Sequence, residues 1–367
     1  MDKILLTGTF RSGTSLLTAC LNAHSGIFIA WQPFWPFFKA CTNKLYGDTV
    51  LLPQNQDYPM GIFECTSDEQ KEDLQSLFSS FSFEKNDLFL VIEKIKTELS
   101  RVELKMNVDL KNFGLAKYLD DIESGPAGDV LSQLFDRLLL YFKRQTPTAI
   151  LPPGQGMITG VKEVFCEEFI EPFTHFFHPN AFAIHIIRDP RAVLASRNYG
   201  KYAEATGSKY PIFFIIRTWK RTVANFILNK NNRHYLMIKY EDLVRKTEMT
   251  LNQICMVLGI GFSNDMLDFS KYKDSKGNPW KQNSSFKNTN AITADSIDTW
   301  KDVLPSREIE ILEYYCRPEM ELMGYEVRTE HFSEDRIKNF KEDQSDVRDW
   351  LRKFDFSPAA EKRGPLS

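Results

Sequence analysis

The sequence predicts an α/β fold: a P-loop-like parallel sheet flanked by helices, with a helical insertion at about 40–156 and a charged C-terminal tail. Three observations carry this. Short apolar runs suited to buried parallel strands alternate with helical periodicity near both ends of the chain. A glycine-framed turn joins the first such strand to the first helix. The long stretch between them shows only the spacing of helices. With 367 residues, one large domain or two ordinary ones fit. The change in composition divides the chain into an α/β domain over 1–327 and a charged extension over 328–367.

The elements follow in order. Residues 3–7, with Ile4-Leu5-Leu6, read as a buried strand. The turn Gly8 to Thr14 precedes a helix at 15–21, and a second strand fits 27–30. In the insertion, 87–101 places Leu88, Val91, Ile92, Ile95 and Leu99 on one helical face. Residues 129–143 do the same with Val130, Leu131, Leu134, Leu138 and Tyr141. Such a cap commonly shapes a substrate pocket. Strands resume at 157–161 and 182–187; the second is apolar apart from His185, which reads as a satisfied core histidine. Helices fit 191–197, 212–229, 248–258 and 306–323, and a strand fits 235–239. Gly259 and Gly324 close the last two helices. Beyond Val327 charged residues dominate; the amphipathic piece 347–354 suits docking on the body or a partner, and 358–367 reads as disordered.

Composition narrows the function. Hydrophobic residues are 43% and charged residues 26%, as in a globular enzyme rather than a disordered chain. A net charge of −3 lacks the cationic surplus of a dedicated nucleic-acid binder. No apolar run reaches the length of a membrane span, and Met1-Asp2-Lys3 before a short apolar run predicts no signal peptide. The six cysteines are dispersed without a C-x-x-C pair, which predicts reduced thiols, a cytoplasmic location and no zinc site. Oligomeric state is not readable.

Two motifs carry chemistry. Gly8-Thr9-Phe10-Arg11-Ser12-Gly13-Thr14-Ser15 has the G-x-x-x-x-G frame of a phosphate loop between strand and helix. Backbone N–H groups in such a turn converge on an anion, and the helix dipole adds to them. Thr14 stands where a nucleoside triphosphatase carries lysine, and the cation is instead Arg11. That loop suits a phosphate-like group that needs no metal. The second motif runs from Ile186-Ile187-Arg188-Asp189-Pro190 to Ser196. Arg188 ends a strand, Asp189-Pro190 opens a helix, and Ser196 lies a turn and a half into it. An arginine and a serine so placed suit a second phosphate.

Together these motifs resemble those of sulfotransferases that use 3′-phosphoadenosine 5′-phosphosulfate, in the Arg-type loop form of tyrosylprotein and many bacterial members. Gly160-Val161-Lys162-Glu163 resembles the family's lysine-bearing strand end. Lys239-Tyr240-Glu241-Asp242-Leu243 resembles its tyrosine-bearing strand end, and 276–285 its loop over the nucleotide. The resemblance covers about 3–40 and 157–327. It implies transfer of a sulfuryl group to a hydroxyl or amine of a small molecule, glycan or lipid, without metal. It implies Arg11 and Lys162 as catalytic cations. Ser12, Gly13, Thr14 and Ser15 would hold the 5′-phosphate, Arg188 and Ser196 the 3′-phosphate, and Tyr240, Lys281 and Ser285 the rest of the donor.

The general base is open. Gln32 in Ala30-Trp31-Gln32-Pro33-Phe34-Trp35 stands where related enzymes commonly have a carboxylate, and an amide takes no proton. Glu64, Asp57, Glu163 or His24 could serve instead, the acceptor could need little help, or turnover could be lost. Gln32, Trp31 and Phe34 are the candidate acceptor-binding residues; the aromatic run around them fits either a pocket or plain core. A nucleotide kinase or triphosphatase with an altered loop, and a non-catalytic nucleotide-binding protein, are the competing classes.

Overall fold

The computed structural model describes residues 3–45, 76–105, 113–145, 157–273, 279–280, 286, 291–342, 347 and 358. Five parallel strands form the sheet: β1 (Lys3–Gly8), β2 (Ile27–Trp31), β3 (Ile158–Val164), β4 (Ala181–Ile187) and β5 (Tyr235–Lys239). Their spatial order is β2-β3-β1-β4-β5. β1 lies between β3 and β4, with every residue from Ile4 to Gly8 buried, which is why it reads as an unbroken apolar run. The carboxyl ends of β1, β3, β4 and β5 point the same way. They deliver the first loop, Lys162, Arg188 and Tyr240 to one edge, where open parallel sheets bind ligands.

Helices cover both faces. α1 (Thr14–Asn22) packs with β1, β2 and β4 through Leu16, Leu17, Cys20 and Leu21. The insertion supplies α2 (Trp35–Leu45), α3 (Lys85–Lys105) and α4 (Ala127–Gln145). All ten residues assigned to the inner faces of the last two are buried, together with Phe34, Phe37, Phe38, Phe78, Phe83, Phe135 and Phe169. The insertion is not purely helical: Ser82–Phe83 and Gly125–Pro126 pair as a short antiparallel ribbon. Two-residue strands leave no alternation for a pattern to reveal.

α5 (Pro190–Asn198), α6 (Ile212–Asn229) and α9 (Ser306–Leu322) pack in a second cluster with Ile187, on the same sheet face as the insertion, whereas α7 (Tyr240–Arg245) and α8 (Thr247–Leu258) pack with α1 on the opposite face, that of Ile4, Leu6 and Ile184. Gly259 and Gly324 are both left-handed, as helix-closing glycines should be. Ile337, Phe340 and Val347 are buried against α6 and α9, so the charged tail is attached to the body by a few apolar side chains. The rest of 347–354, and 359–367, lie outside the described residues. Cys20, Cys41, Cys166, Cys255 and Cys316 are buried free thiols; Cys65 is outside the described residues. No described helix is long and apolar enough to cross a membrane.

His185 is a core residue on β4. Its Nδ1 meets Tyr235 Oη at 2.8 Å, and burial pushes its pKa down from 6.5 to about 3. The unfolded chain therefore takes up this proton first as pH falls. Stability present at neutral pH is lost between about 6.5 and about 3. In melts from pH 7 to 4, a His185→Gln variant should show a shallower loss than wild type, by up to one proton's worth, about 1.4 kcal/mol per pH unit. An identical slope would refute this.

Candidate active site

The first loop is held by its two glycines. A Cβ on Gly8 would sit 2.4 Å from the Ile186 carbonyl oxygen, and one on Gly13 would sit 2.3 Å from the Tyr240 ring. Both have φ in the left-handed half of the map, at 150° and 99°. Only glycine lets the chain pass so close to β4 and α7. Between them, Ser12 Oγ donates to the Thr9 carbonyl at 2.6 Å. Gly13 is the N-terminal cap residue of α1, and its carbonyl accepts from Leu17 N at 3.1 Å. The N–H groups of the first turn, from Thr14 and Ser15 onward, have no intrahelical partner by construction and suit an anion.

Arg11 has φ 61°, unusual for a residue with a side chain. Its Nε donates to Ser196 Oγ at 2.8 Å. Its own carbonyl accepts from Arg188 Nη1 at 3.0 Å. The two motifs are thus one structure: the loop arginine is fastened to the helix serine and the strand-end arginine. Arg188 Nη2 donates to the Ser296 carbonyl at 2.7 Å, and its guanidinium lies 4.2 Å from the Tyr240 ring centroid. Tyr240 Oη and Ser296 Oγ are 2.7 Å apart. Arg188 Nε is buried and makes no hydrogen bond among the described residues. A buried cationic N–H left open is costly unless an anion completes it. That fits a phosphate here.

Asp189 caps α5 by accepting from Arg191 N at 2.9 Å. Its own N–H donates to Glu241 Oε1 at 3.0 Å, and Tyr325 Oη donates to Glu241 Oε2 at 3.1 Å. Burial pushes the Glu241 carboxyl above its ordinary range. Trp219 Nε1 donates to the Arg188 carbonyl at 2.8 Å. Trp219, Ser296 and Glu241 orient Arg188 through backbone and ring contacts, and nothing in the local sequence marks Trp219 or Ser296 for that role.

Lys162 lies beside the loop. β2 and β3 pair Trp31 with Lys162, which brings Gln32 next to it. Lys162 Nζ donates to Gln32 Oε1 at 3.1 Å and lies 4.9 Å from the Trp31 ring centroid. Gln32 N donates to the Lys162 carbonyl at 2.8 Å, and Gln32 has φ 40°. Gln32 thus orients a cation, a task for which an amide oxygen suffices. Trp31 is half-buried. Phe34, in contrast, is completely buried in the insertion core with Phe37 and Phe38, so the aromatic run is packing from Phe34 onward and Phe34 does not line a pocket. Apolar clustering alone does not separate pocket wall from core.

The base candidates sort differently. His24 is tied at both nitrogens: Nδ1 accepts from Gly26 N at 3.0 Å, and Nε2 is 3.0 Å from the Gly261 carbonyl. Glu163 is buried and accepts from Phe34 N at 2.7 Å, which fixes the turn after β2. Asp57 and Glu64 lie outside the described residues, as do Lys281 and Ser285.

Comparison with known proteins adds to this geometry. Residues 172–324 match the family model described as the sulfotransferase domain. Residues 172–324 thus resemble a sulfotransferase domain. The match takes in β4, Arg188, Ser196, Tyr240 and α9, whereas the first loop and Lys162 lie outside it. The chain is 23% identical over 357 residues to carbohydrate sulfotransferase 3 of Tetronarce californica, covering 88% of this chain and 72% of that protein. It is 30% identical over 118 residues to 3-beta-hydroxysteroid sulfotransferase of Cavia porcellus, covering 28% and 41%. A solved sulfotransferase domain from the curacin biosynthetic pathway aligns over 89% of this chain and 99% of its own, with a TM-score of 0.49 and 17% identity.

Proposed function

We propose that this protein takes its sulfuryl group from 3′-phosphoadenosine 5′-phosphosulfate and passes it to a hydroxyl, with a carbohydrate the first acceptor class to test. One observation carries the donor reading: the Arg11–Ser196 and Arg188–Arg11 hydrogen bonds merge two phosphate-type motifs into one cationic site. The open Arg188 Nε supports it. The acceptor class is supported by the length of the match to a carbohydrate sulfotransferase and by half-buried Trp31 beside Lys162, an aromatic face that a sugar ring can cover.

The donor brings a sulfuryl group joined to a phosphate through one bridging oxygen. Loop N–H groups of Ser12 to Ser15 hold the 5′-phosphate. Arg11 sits beside them and stabilises the negative charge that develops toward the leaving phosphate. Lys162, held by Gln32 and Trp31, supplies the second cation from the β3 side. Arg188 and Ser196 hold the 3′-phosphate, Tyr240 packs beneath Gly13, and no metal is assigned a role.

Arg188 and Ser196 also hold Arg11, so their replacement reaches beyond affinity. Arg188→Ala should raise the donor KM by about 10- to 100-fold, the worth of a charge-assisted hydrogen bond, and lower kcat by a smaller factor. Steady-state kinetics with labelled donor and a glycan panel checks this. An unchanged donor KM would refute the assignment. Turnover appearing only in a Gln32→Glu variant would instead mark the protein as a binding module.

A further inference from the structure

Phe340, Glu342 and Val347 of the tail pack on the segment that braces the first loop. Phe340 packs its ring on Phe213, with centroids 5.9 Å apart. Glu342 Oε1 accepts from Ile212 N at 2.6 Å, satisfying one of the orphan donors at the start of α6. Val347 is buried and forms an isolated parallel bridge with Lys209. These contacts bracket Tyr210 on both sides.

Tyr210 is itself clamped. Its N–H donates to Asn198 Oδ1 at 2.9 Å, and its carbonyl accepts from Asn198 Nδ2 at 2.8 Å. The Arg197 guanidinium lies 3.6 Å from its ring centroid. The ring meets Phe10 edge-on at 5.3 Å and Phe214 at 5.0 Å, and Phe165 closes on Phe10 at 5.3 Å. Phe10 precedes Arg11. A residue at φ 61° persists only where its surroundings over-determine it. Ser196 and Arg188 fix the Arg11 side chain and carbonyl, and the Phe10 cluster fixes the backbone on its other side.

We propose that Tyr210 is a positioning residue for Arg11, acting through Phe10, and that the C-terminal segment holds Tyr210 in place by fixing residues 209–212. The role of Arg11 in this proposal rests on the donor reading above. The tail, which lies beyond the family match, thereby belongs to the loop's support.

The test is hydrogen exchange of the loop amides in Tyr210→Ala, Tyr210→Phe, Glu342→Ala and the Tyr210→Ala/Glu342→Ala double variant. Exchange over residues 9–13 should quicken on the order of tenfold in Tyr210→Ala and severalfold in Glu342→Ala, with β4 amides still protected. The double variant should exchange no faster than Tyr210→Ala, because both changes act along one path. Tyr210→Phe retains the ring and should match wild type. In transfer assays kcat should fall with loop protection while the acceptor KM holds. Unchanged loop exchange in either alanine variant, or additive effects in the double, overturns the proposal. This readout requires no turnover, so its failure is distinguishable from failure of the donor reading.

Discussion

Replacing Arg11 by alanine is expected to lower sulfuryl transfer at saturating donor by roughly a hundredfold or more, the worth of about 2–4 kcal/mol of transition-state stabilisation. Charge grows on the leaving side only as the bond breaks, so a cation placed there is felt more in kcat than in donor affinity. The structure sharpens this. Arg11 is fastened by Ser196 and carries Arg188 on its carbonyl, so its guanidinium is already oriented before any donor arrives. Such preorganisation makes the electrostatic contribution large. Arg11→Lys retains the charge but cannot reproduce the guanidinium fork, and should fall between wild type and alanine. Single-turnover rates at saturating donor measure the effect. Near-normal turnover in Arg11→Ala would remove Arg11 from the chemistry.

The largest expected loss of stability comes from Glu313. It is completely buried on α9, and its Oε1 accepts from Arg191 Nη1 at 2.5 Å. Oε2 accepts from Arg328 N, Thr329 N and Thr329 Oγ1, at 3.2, 2.8 and 2.6 Å. Arg191 is bound on its other side by Asp189 and stacks on Trp300 at 4.0 Å. Glu313→Ala leaves a buried guanidinium short of one carboxylate and strips the acceptors from the start of the tail. Breaking a buried pair from one side costs about 3–5 kcal/mol, and that is the expected drop in urea unfolding at neutral pH. Glu313→Gln retains acceptors and should lose less. A drop below about 1 kcal/mol, the level of an exposed pair, would show that Arg191 finds other partners.

The parallel strands and the glycine-framed loop were legible because burial on both faces demands unbroken apolar runs and a tight turn demands glycine. β5 and α6 have the bounds that periodicity assigns. The joining of the motifs was not legible. Arg11 and Ser196 lie 185 positions apart, and no local pattern encodes which hydroxyl a loop arginine will meet. Phe34 shows a different limit, since an aromatic run reads the same in a pocket wall and a core. The tail shows a third: Ile337 and Phe340 are too few among charged neighbours to form a stripe, yet both are buried. Gln32 stands where a carboxylate is expected, and only the structure shows that its amide oxygen accepts a hydrogen bond from Lys162.

The central claim is that one cationic site, made by Arg11, Arg188 and Ser196, reads a nucleotide with phosphates at both the 3′ and 5′ positions. Calorimetric titration in the presence of a chelator tests it most directly, comparing adenosine 3′,5′-bisphosphate with adenosine 5′-phosphate, and then with ATP and magnesium without chelator. The account predicts metal-free binding of the bisphosphate, weakened at least about tenfold when the 3′-phosphate is removed, as loss of a charge-assisted contact requires. Equal affinity for the two adenosine phosphates, or tight binding of ATP with magnesium alone, would contradict it.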